Sequence, residues 1–379
     1  MDFQLTDEQK HVRAEIRRFA ETEIAPDAAE RDQHEKFAAQ HIKKLGDLGY
    51  MGMTVSPNYG GQGADTVSYA IVVEELSRVD ASVGVAVSVN NSLVCYGLEK
   101  FGTEAQKQKY LSPLASGKAL GAYCLSEPST GSDAGAMLTV AVKQDGHYLL
   151  NGTKNFITNG MHADYYIVFA TMDKSLGNKG VAAFIVEKKF PGVAVGKKER
   201  KLGIRSSDTV MLNFDNVQVP AENLILQEGK GFNVAMTILD KGRIGIAAQA
   251  LGIAQGAFEH AVRYAKERQQ FNQPLGDFQA IQFMLAEMST EIEAARLLVY
   301  RAASLKDAGQ SFSVESAQAK LYASRVAVDC GVKAVQIFGG AGYLKDYPVE
   351  RFMRDAKITE IYEGTSEIQK LVIARNILR

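Results

Sequence analysis

The period of the apolar residues changes twice along this chain, and those two changes restrict the possible folds more than any single motif does. From Thr6 to roughly Leu120 apolar side chains recur at helical spacing. Leu5, Val12, Ile16 and Phe19 form one such stripe around Thr6-Asp7-Glu8-Gln9, which has the spacing of a capping box. Tyr69 to Leu76 carries a similar face, and Val85 to Leu98 is apolar enough for a buried helix. Near Gly121 the pattern becomes that of short strands: Tyr148 to Leu150, Tyr165 to Phe169, Val181 to Val186 and Val210 to Phe214, separated by Gly, Asn, Asp or Pro. After Pro220 helical spacing returns in Ala-rich runs at Ile244 to Lys266, Phe278 to Lys306 and Val314 to Val335, where small residues let helices approach closely. The expectation is an α+β chain, mainly α. It has an all-helical N-terminal domain at 1–120, a small middle β-barrel or sandwich at 121–225, and a C-terminal helical bundle at 226–379. A chain of 379 residues exceeds the size at which single cores stop growing, which agrees with that division.

Composition narrows the function by exclusion. A formal net charge of −1 argues against nucleic acid as the main partner, since binding phosphates requires a marked basic excess. Cys95, Cys124 and Cys330 are odd in number and lack CxxC spacing, so neither a disulfide framework nor a zinc site is expected. His11, His34, His41, His147, His162 and His260 show no HxxxH spacing, and no metal site is expected from them. The start, Met1 to Gln9, is acidic and polar, unlike a signal peptide, and no apolar stretch approaches the ~20 residues of a membrane span. A cytoplasmic protein fits these features.

Two segments stand out chemically. Ser366 and Gln369 have capping-box spacing, and Ile368, Leu371 and Val372 continue as a helical stripe, so Glu363 sits on a glycine turn just before a helix. A turn can deliver a carboxylate into a dry pocket, where its pKa rises towards working pH and it can act as a general base. Asp240 and Arg243 are three apart at a helix position and can pair. Gly60-Gly61-Gln62-Gly63 and Gly339-Gly340-Ala341-Gly342 lack both GK[ST] and a βαβ context, so they read as turns. No GxSxG elbow marks a nucleophilic serine.

Ile361-Tyr362-Glu363-Gly364-Thr365 resembles the C-terminal signature of the acyl-CoA dehydrogenases, and Tyr123-Cys124-Leu125-Ser126-Glu127-Pro128-Ser129-Thr130-Gly131-Ser132-Asp133 is similar to that family's flavin-contacting segment. Between them, Phe156-Ile157-Thr158, Leu239 to Arg243, Arg268 to Leu275 and Gln336 to Gly340 match in order, so the resemblance spans essentially the whole chain and is nearest to the short-chain, butyryl-CoA branch. It implies FAD as cofactor. Tyr123, Leu125, Ser126, Gly131, Ser132, Phe156, Ile157 and Thr158 would line the flavin. Arg268, Gln279, Gln336, Ile337, Phe338, Gly339 and Gly340 would hold the nucleotide part across a subunit interface, and Thr365, Ser366 and Glu367 would also touch FAD. Ser132, Asp240, Lys241, Gly242, Arg243 and Gly364 would bind acyl-CoA. The chain departs from the family at Phe156, where Trp is common, at Ser129, often Gly, and at Asn272, usually Gly.

By that resemblance Glu363 removes the α-proton of a short acyl-CoA while hydride leaves the β-carbon for the flavin. The Glu363 N–H and a ribityl hydroxyl would stabilise the enolate oxygen. An electron-transfer flavoprotein as acceptor and a homotetramer built as a dimer of dimers are implied too. The alternatives are an acyl-CoA oxidase on the same scaffold and a non-catalytic CoA-binding relative.

Overall fold

The computed structural model describes residues 4–378, so Met1, Asp2 and Phe3 of the acidic start lie outside the described residues. The Asp7–Phe19 helix begins at the capping box read from the sequence. Thr6 Oγ1 accepts the Gln9 N–H at 3.2 Å and Gln9 Oε1 accepts the Thr6 N–H at 3.1 Å. Ile16 on its apolar face is fully buried. Further on, the Thr66–Ser77 helix is buried along its whole length, which explains why its apolar residues are not confined to one stripe.

One sequence reading fails here. Ala81 to Phe101 forms a continuous helical run of 21 residues, long and apolar enough to cross a membrane, contrary to the expectation that no stretch comes near that length. All of the apolar window is buried inside the protein, so this is a core helix. Its middle, Val89–Cys95, widens into a π-turn, and Asn90 and Asn91 there send their amides to the carbonyls of Met51 and Tyr50 at 2.9 Å each. Those polar residues interrupt the apolar count in the sequence but are satisfied inside the fold.

The middle region is one sheet of eight strands: β1 (Gly121–Cys124), β2 (Val140–Gln144), β3 (His147–Thr158), β4 (Tyr165–Thr171), β5 (Val181–Glu187), β6 (Val193–Lys198), β7 (Thr209–Pro220) and β8 (Leu224–Ile225). They run in the order β6-β7-β3-β2-β4-β5-β8, with β1 pairing in parallel to β4. Residues of β1, β4 and β5 share one apolar core with residues of β3 and β7, as a sheet wrapped around itself requires. The four strands read from the sequence lie within β3, β4, β5 and β7, whereas the edge strand β6, with Gly196, Lys197 and Lys198, carries too little apolar signal to be seen.

The C-terminal part packs three long helices, Gly231–Glu267, Gln279–Asp307 and Ser313–Phe338, with Val349–Ile358 and Ser366–Ile377 after them. The first is the axis of the molecule. A Cβ at its Gly252 would lie 2.2 Å from the Glu74 carbonyl oxygen, so this glycine is what lets the helix backbone press against Thr66–Ser77. Close approach of helices from the two ends of the chain encloses the pocket described next.

Candidate active site

Glu363 stands in the left-handed region, φ 51°, followed by Gly364 at φ 95°. Left-handed backbone is costly for a residue with a Cβ, so surrounding bonds must hold the turn. Lys320 Nζ donates to the Gly364 carbonyl at 2.6 Å, and Gln369 Nε2 donates to the same oxygen at 2.8 Å. Tyr362 hydrogen-bonds to Gln249 of the long axial helix, whose amide in turn reaches the Ala81 carbonyl at 2.8 Å. The helix that follows is capped one residue earlier than its sequence suggests. Thr365, not Ser366, is the N-cap, accepting the Ile368 N–H at 3.3 Å, and Gln369 is spent on the turn instead of a capping box.

The turn delivers the carboxylate against the axial helix. A Cβ at Gly242 would lie 2.2 Å from Glu363 Oε2 and 2.6 Å from Leu93 Cδ2, so only glycine leaves room there. Glu363 Oε2 is sealed from solvent and has no hydrogen-bond partner among the described residues. Burial raises its pKa from 4.5 to about 7; Lys320 and Arg243 pull the other way. Neither cation forms an ion pair with it within 4.0 Å among the described residues, so both act through space. Three residues along the helix, a Cβ at Gly245 would meet Ser88 Oγ at 2.3 Å and the Tyr69 hydroxyl at 2.4 Å, so two buried hydroxyls press against the helix there.

Asp240 and Arg243 do pair, and Ser313 Oγ donates to Asp240 at 2.9 Å. Arg243 is buried and Asp240 half-buried beside the same turn. Lys241 is turned elsewhere: its Nζ lies 2.5 Å from Thr54 Oγ1 and 4.7 Å from the centre of the Tyr96 ring. Burial and the nearby Lys306 lower its pKa to about 7.

The Tyr123 to Ser132 and Phe156 to Thr158 segments meet. The Asn155 N–H donates to the Ser126 carbonyl at 2.9 Å, and Lys154 Nζ donates to the Leu125 carbonyl at 3.0 Å and to Glu127 at 2.8 Å. The Lys154–Glu127 pair is buried, and Glu127 also accepts backbone N–H groups from Leu138 and Thr139. Removing either partner of such a pair costs roughly 3–5 kcal/mol. These two residues, which nothing in the sequence singled out, hold the segment in shape. A register shift between Lys154 and Ile157 bulges β3, and Phe156 is thrown outward there at φ 58° and 64% exposed. Leu125 and Ile157 are buried, Thr158 and Ser126 are half-buried, and Gly131 and Ser132 are exposed. Thr130 Oγ1 is buried without a partner among the described residues, and a Cβ at Gly131 would meet nothing within 4 Å. An exposed aromatic face, an unsatisfied hydroxyl and an open glycine fit a flat, polar-edged ring such as a flavin.

A second group lies apart. Arg268 ends the axial helix, 26 residues after Gly242, which at about 1.5 Å per residue is roughly 39 Å away along the axis. Its carbonyl accepts the Leu275 N–H at 2.8 Å, which leads into Gln279 at the start of the next helix. Phe338 stacks on Tyr264, ring centres 3.9 Å apart, and so brings Gln336 to Gly340 to the same corner. Ile337 and Phe338 are buried, while Gln336, Gly339, Gly340, Arg268 and Gln279 are exposed, and Cβ atoms at Gly339 or Gly340 would meet nothing. Phe271 beside Arg268 is 87% exposed. Arg268 and two open glycines fit a pyrophosphate. Thr365, Ser366 and Glu367 stay with the Glu363 turn, Glu367 exposed.

The comparisons with known proteins agree on one family. The N-terminal, middle and C-terminal domains of acyl-CoA dehydrogenases match residues 6–118, 122–217 and 229–378. The short-chain specific acyl-CoA dehydrogenase of Clostridium acetobutylicum is 56% identical over the full length of both chains. The solved butyryl-CoA dehydrogenase of Megasphaera elsdenii superposes with a TM-score of 0.99 at 51% identity, covering all of both chains. A chain in the structure described as the electron transferring flavoprotein of Acidaminococcus fermentans superposes equally well, TM-score 0.99 at 51% identity with full coverage. The chain belongs to the acyl-CoA dehydrogenase family.

Proposed function

We propose that this acyl-CoA dehydrogenase converts a short acyl-CoA thioester, butyryl-CoA best, to the trans-2-enoyl-CoA, with Glu363 as the base. The observation that carries this reading is the Glu363 carboxylate: buried, unpaired at Oε2, pressed against a glycine, and tuned to about pH 7. A base whose pKa lies near working pH combines a useful ionised fraction with enough basicity to take an α-proton. The Glu363 N–H donates to no backbone or side-chain acceptor among the described residues, which leaves it for the thioester oxygen as charge builds there. Asp240, Arg243 and Ser132 would hold the CoA arm, with Gly242 and Gly364 giving it room. FAD, held by the Tyr123 to Ser132 and Phe156 to Thr158 segments, would supply the acceptor for the β-hydride, with an electron-transfer flavoprotein as the onward acceptor.

The short chain length rests on the similarity to the short-chain specific and butyryl-CoA dehydrogenases. A pocket that ends early excludes longer chains sterically, whereas a missing methylene costs only ~1–3 kcal/mol of selectivity. Anaerobic flavin bleaching with butyryl-CoA, octanoyl-CoA and isovaleryl-CoA tests this. The four-carbon substrate should give the highest specificity constant, and a higher value for octanoyl-CoA would refute the assignment.

The chain divides best after 120 and after 225, where β1 begins and the last strand of the eight-stranded sheet ends. A homotetramer, a dimer of dimers, is supported by apolar side chains left open at the Arg268 corner and on the last helix, where Ile377 is 74% exposed. A cytoplasmic location suits a chain whose one membrane-length helix among the described residues has its apolar window buried inside the protein.

A further inference from the structure

We propose that Lys320 is a positioning residue for the base: its ammonium pins the Glu363–Gly364 turn through the Gly364 carbonyl and supplies the charge that keeps the buried carboxylate ionised. This rests on the reading of Glu363 as base. Lys320 lies one-quarter of the way along the Ser313–Phe338 helix, is fully buried, and spends its hydrogen bond on the turn carbonyl at 2.6 Å. A buried lysine has several ways to be satisfied; this one reaches across to another element and fixes the one residue pair there with left-handed backbone.

The surroundings of Glu363 leave few other sources of positive charge. From the axial helix, Arg243 faces it but is already paired with Asp240. From Thr66–Ser77 comes Tyr69, from β1 Tyr123, and from its own turn Tyr362, all kept neutral by burial. Lys320 itself is faced by Glu363, Arg243, Glu360 and Glu367, and burial lowers its pKa to about 8, so it is still charged where Glu363 ionises. The two functions of Lys320, anchor and charge, can be separated by substitution. Glutamine keeps a donor without charge, methionine keeps neither, and arginine keeps both.

The experiment is anaerobic stopped-flow reduction of the holoenzyme by butyryl-CoA across pH 5.5–9.5, with FAD content and substrate affinity measured alongside. Wild type must bleach for the reading of Glu363 to stand at all, which separates failure of that reading from failure of this inference. Lys320 holds the Glu363 pKa down, so losing its charge lets that pKa rise. The expected result is therefore a rate midpoint moved to higher pH in Lys320→Gln and Lys320→Met, with the larger rate loss in Lys320→Met, and a midpoint near wild type in Lys320→Arg. If the neutral variants lose FAD or do not fold while Lys320→Arg does neither, the anchoring function is supported. A wild-type midpoint in Lys320→Gln, or failure of Lys320→Arg to restore what the neutral variants lose, overturns the proposal.

Discussion

The two ends of the axial helix differ in kind. Around Gly242 the site is enclosed: Glu363, Lys320, Arg243, Tyr69 and Ser88 come from five segments, Lys320, Arg243, Tyr69 and Ser88 each have a hydrogen-bond partner, and Glu363 Oε2 and Arg243 Nε are sealed without one among the described residues. Around Arg268 little is enclosed: the arginine is exposed, Phe271 is 87% exposed, and Gly339 and Gly340 face open space. A charged group with a perturbed pKa needs burial, and one chain supplies it at the first site. A pyrophosphate needs only donors and room. From this difference we infer that the proton chemistry is completed within one copy, and that the nucleotide-binding corner is a surface offered to another.

The largest effect that can break this contrast is at the enclosed end. Glu363→Gln should retain FAD and acyl-CoA yet lose at least ~10⁴ in the rate of anaerobic flavin reduction, at the upper end of what removing a general base costs because proton and hydride transfer are coupled. The wild-type rate should rise with pH through about 7, since only the ionised carboxylate takes a proton and burial has moved its pKa there from 4.5. A flat profile between pH 6 and 8 would remove Glu363 as the group seen. Next comes Gly242→Ala, whose methyl would fall 2.2 Å from Glu363 Oε2 and must displace it. A misplacement of about 1 Å costs about 10² in rate, so a fall of that order is expected with flavin content unchanged. Smaller still is Arg268→Ala. About tenfold weaker FAD binding, read by equilibrium dialysis, should come with a weakened oligomer and an unmoved pH midpoint. A moved midpoint would mean the two ends are not independent. Smallest is Thr365→Ala, which removes the N-cap after the turn and should lower stability by ~1 kcal/mol in urea melts without loosening FAD.

How much of this was visible in the sequence follows the same division. Glu363 could be read because a turn, a glycine and a helix start lie next to each other in the chain. The helical ends and the strands β3, β4, β5 and β7 could be read because their apolar period is local. Lys320, Gln249 and the Lys154–Glu127 pair could not, since their meaning lies in partners far away: Lys320 and Gly364 are 44 positions apart, Tyr362 and Gln249 113. The N-cap was misplaced by one residue because Thr365 and Ser366 are equally good caps on paper, and only the path of Gln369 to the turn carbonyl decides between them. The buried 81–101 helix was underestimated because Asn90 and Asn91 count as polar in a sequence and are satisfied in a fold.

The central claim, a base supplied by one chain and a nucleotide corner supplied by another, is tested most directly by mixing two defective variants. Glu363→Gln lacks the base and Arg268→Glu lacks the corner, so a mixed assembly of the two contains sites in which Glu363 of one copy and Arg268 of its neighbour are both intact. After dissociation and reassembly at limiting FAD, the mixture should reduce its flavin with butyryl-CoA at a substantial fraction of the wild-type rate, while neither parent does. No recovery in mixtures shown by mass spectrometry to contain both chains in one oligomer would contradict the account.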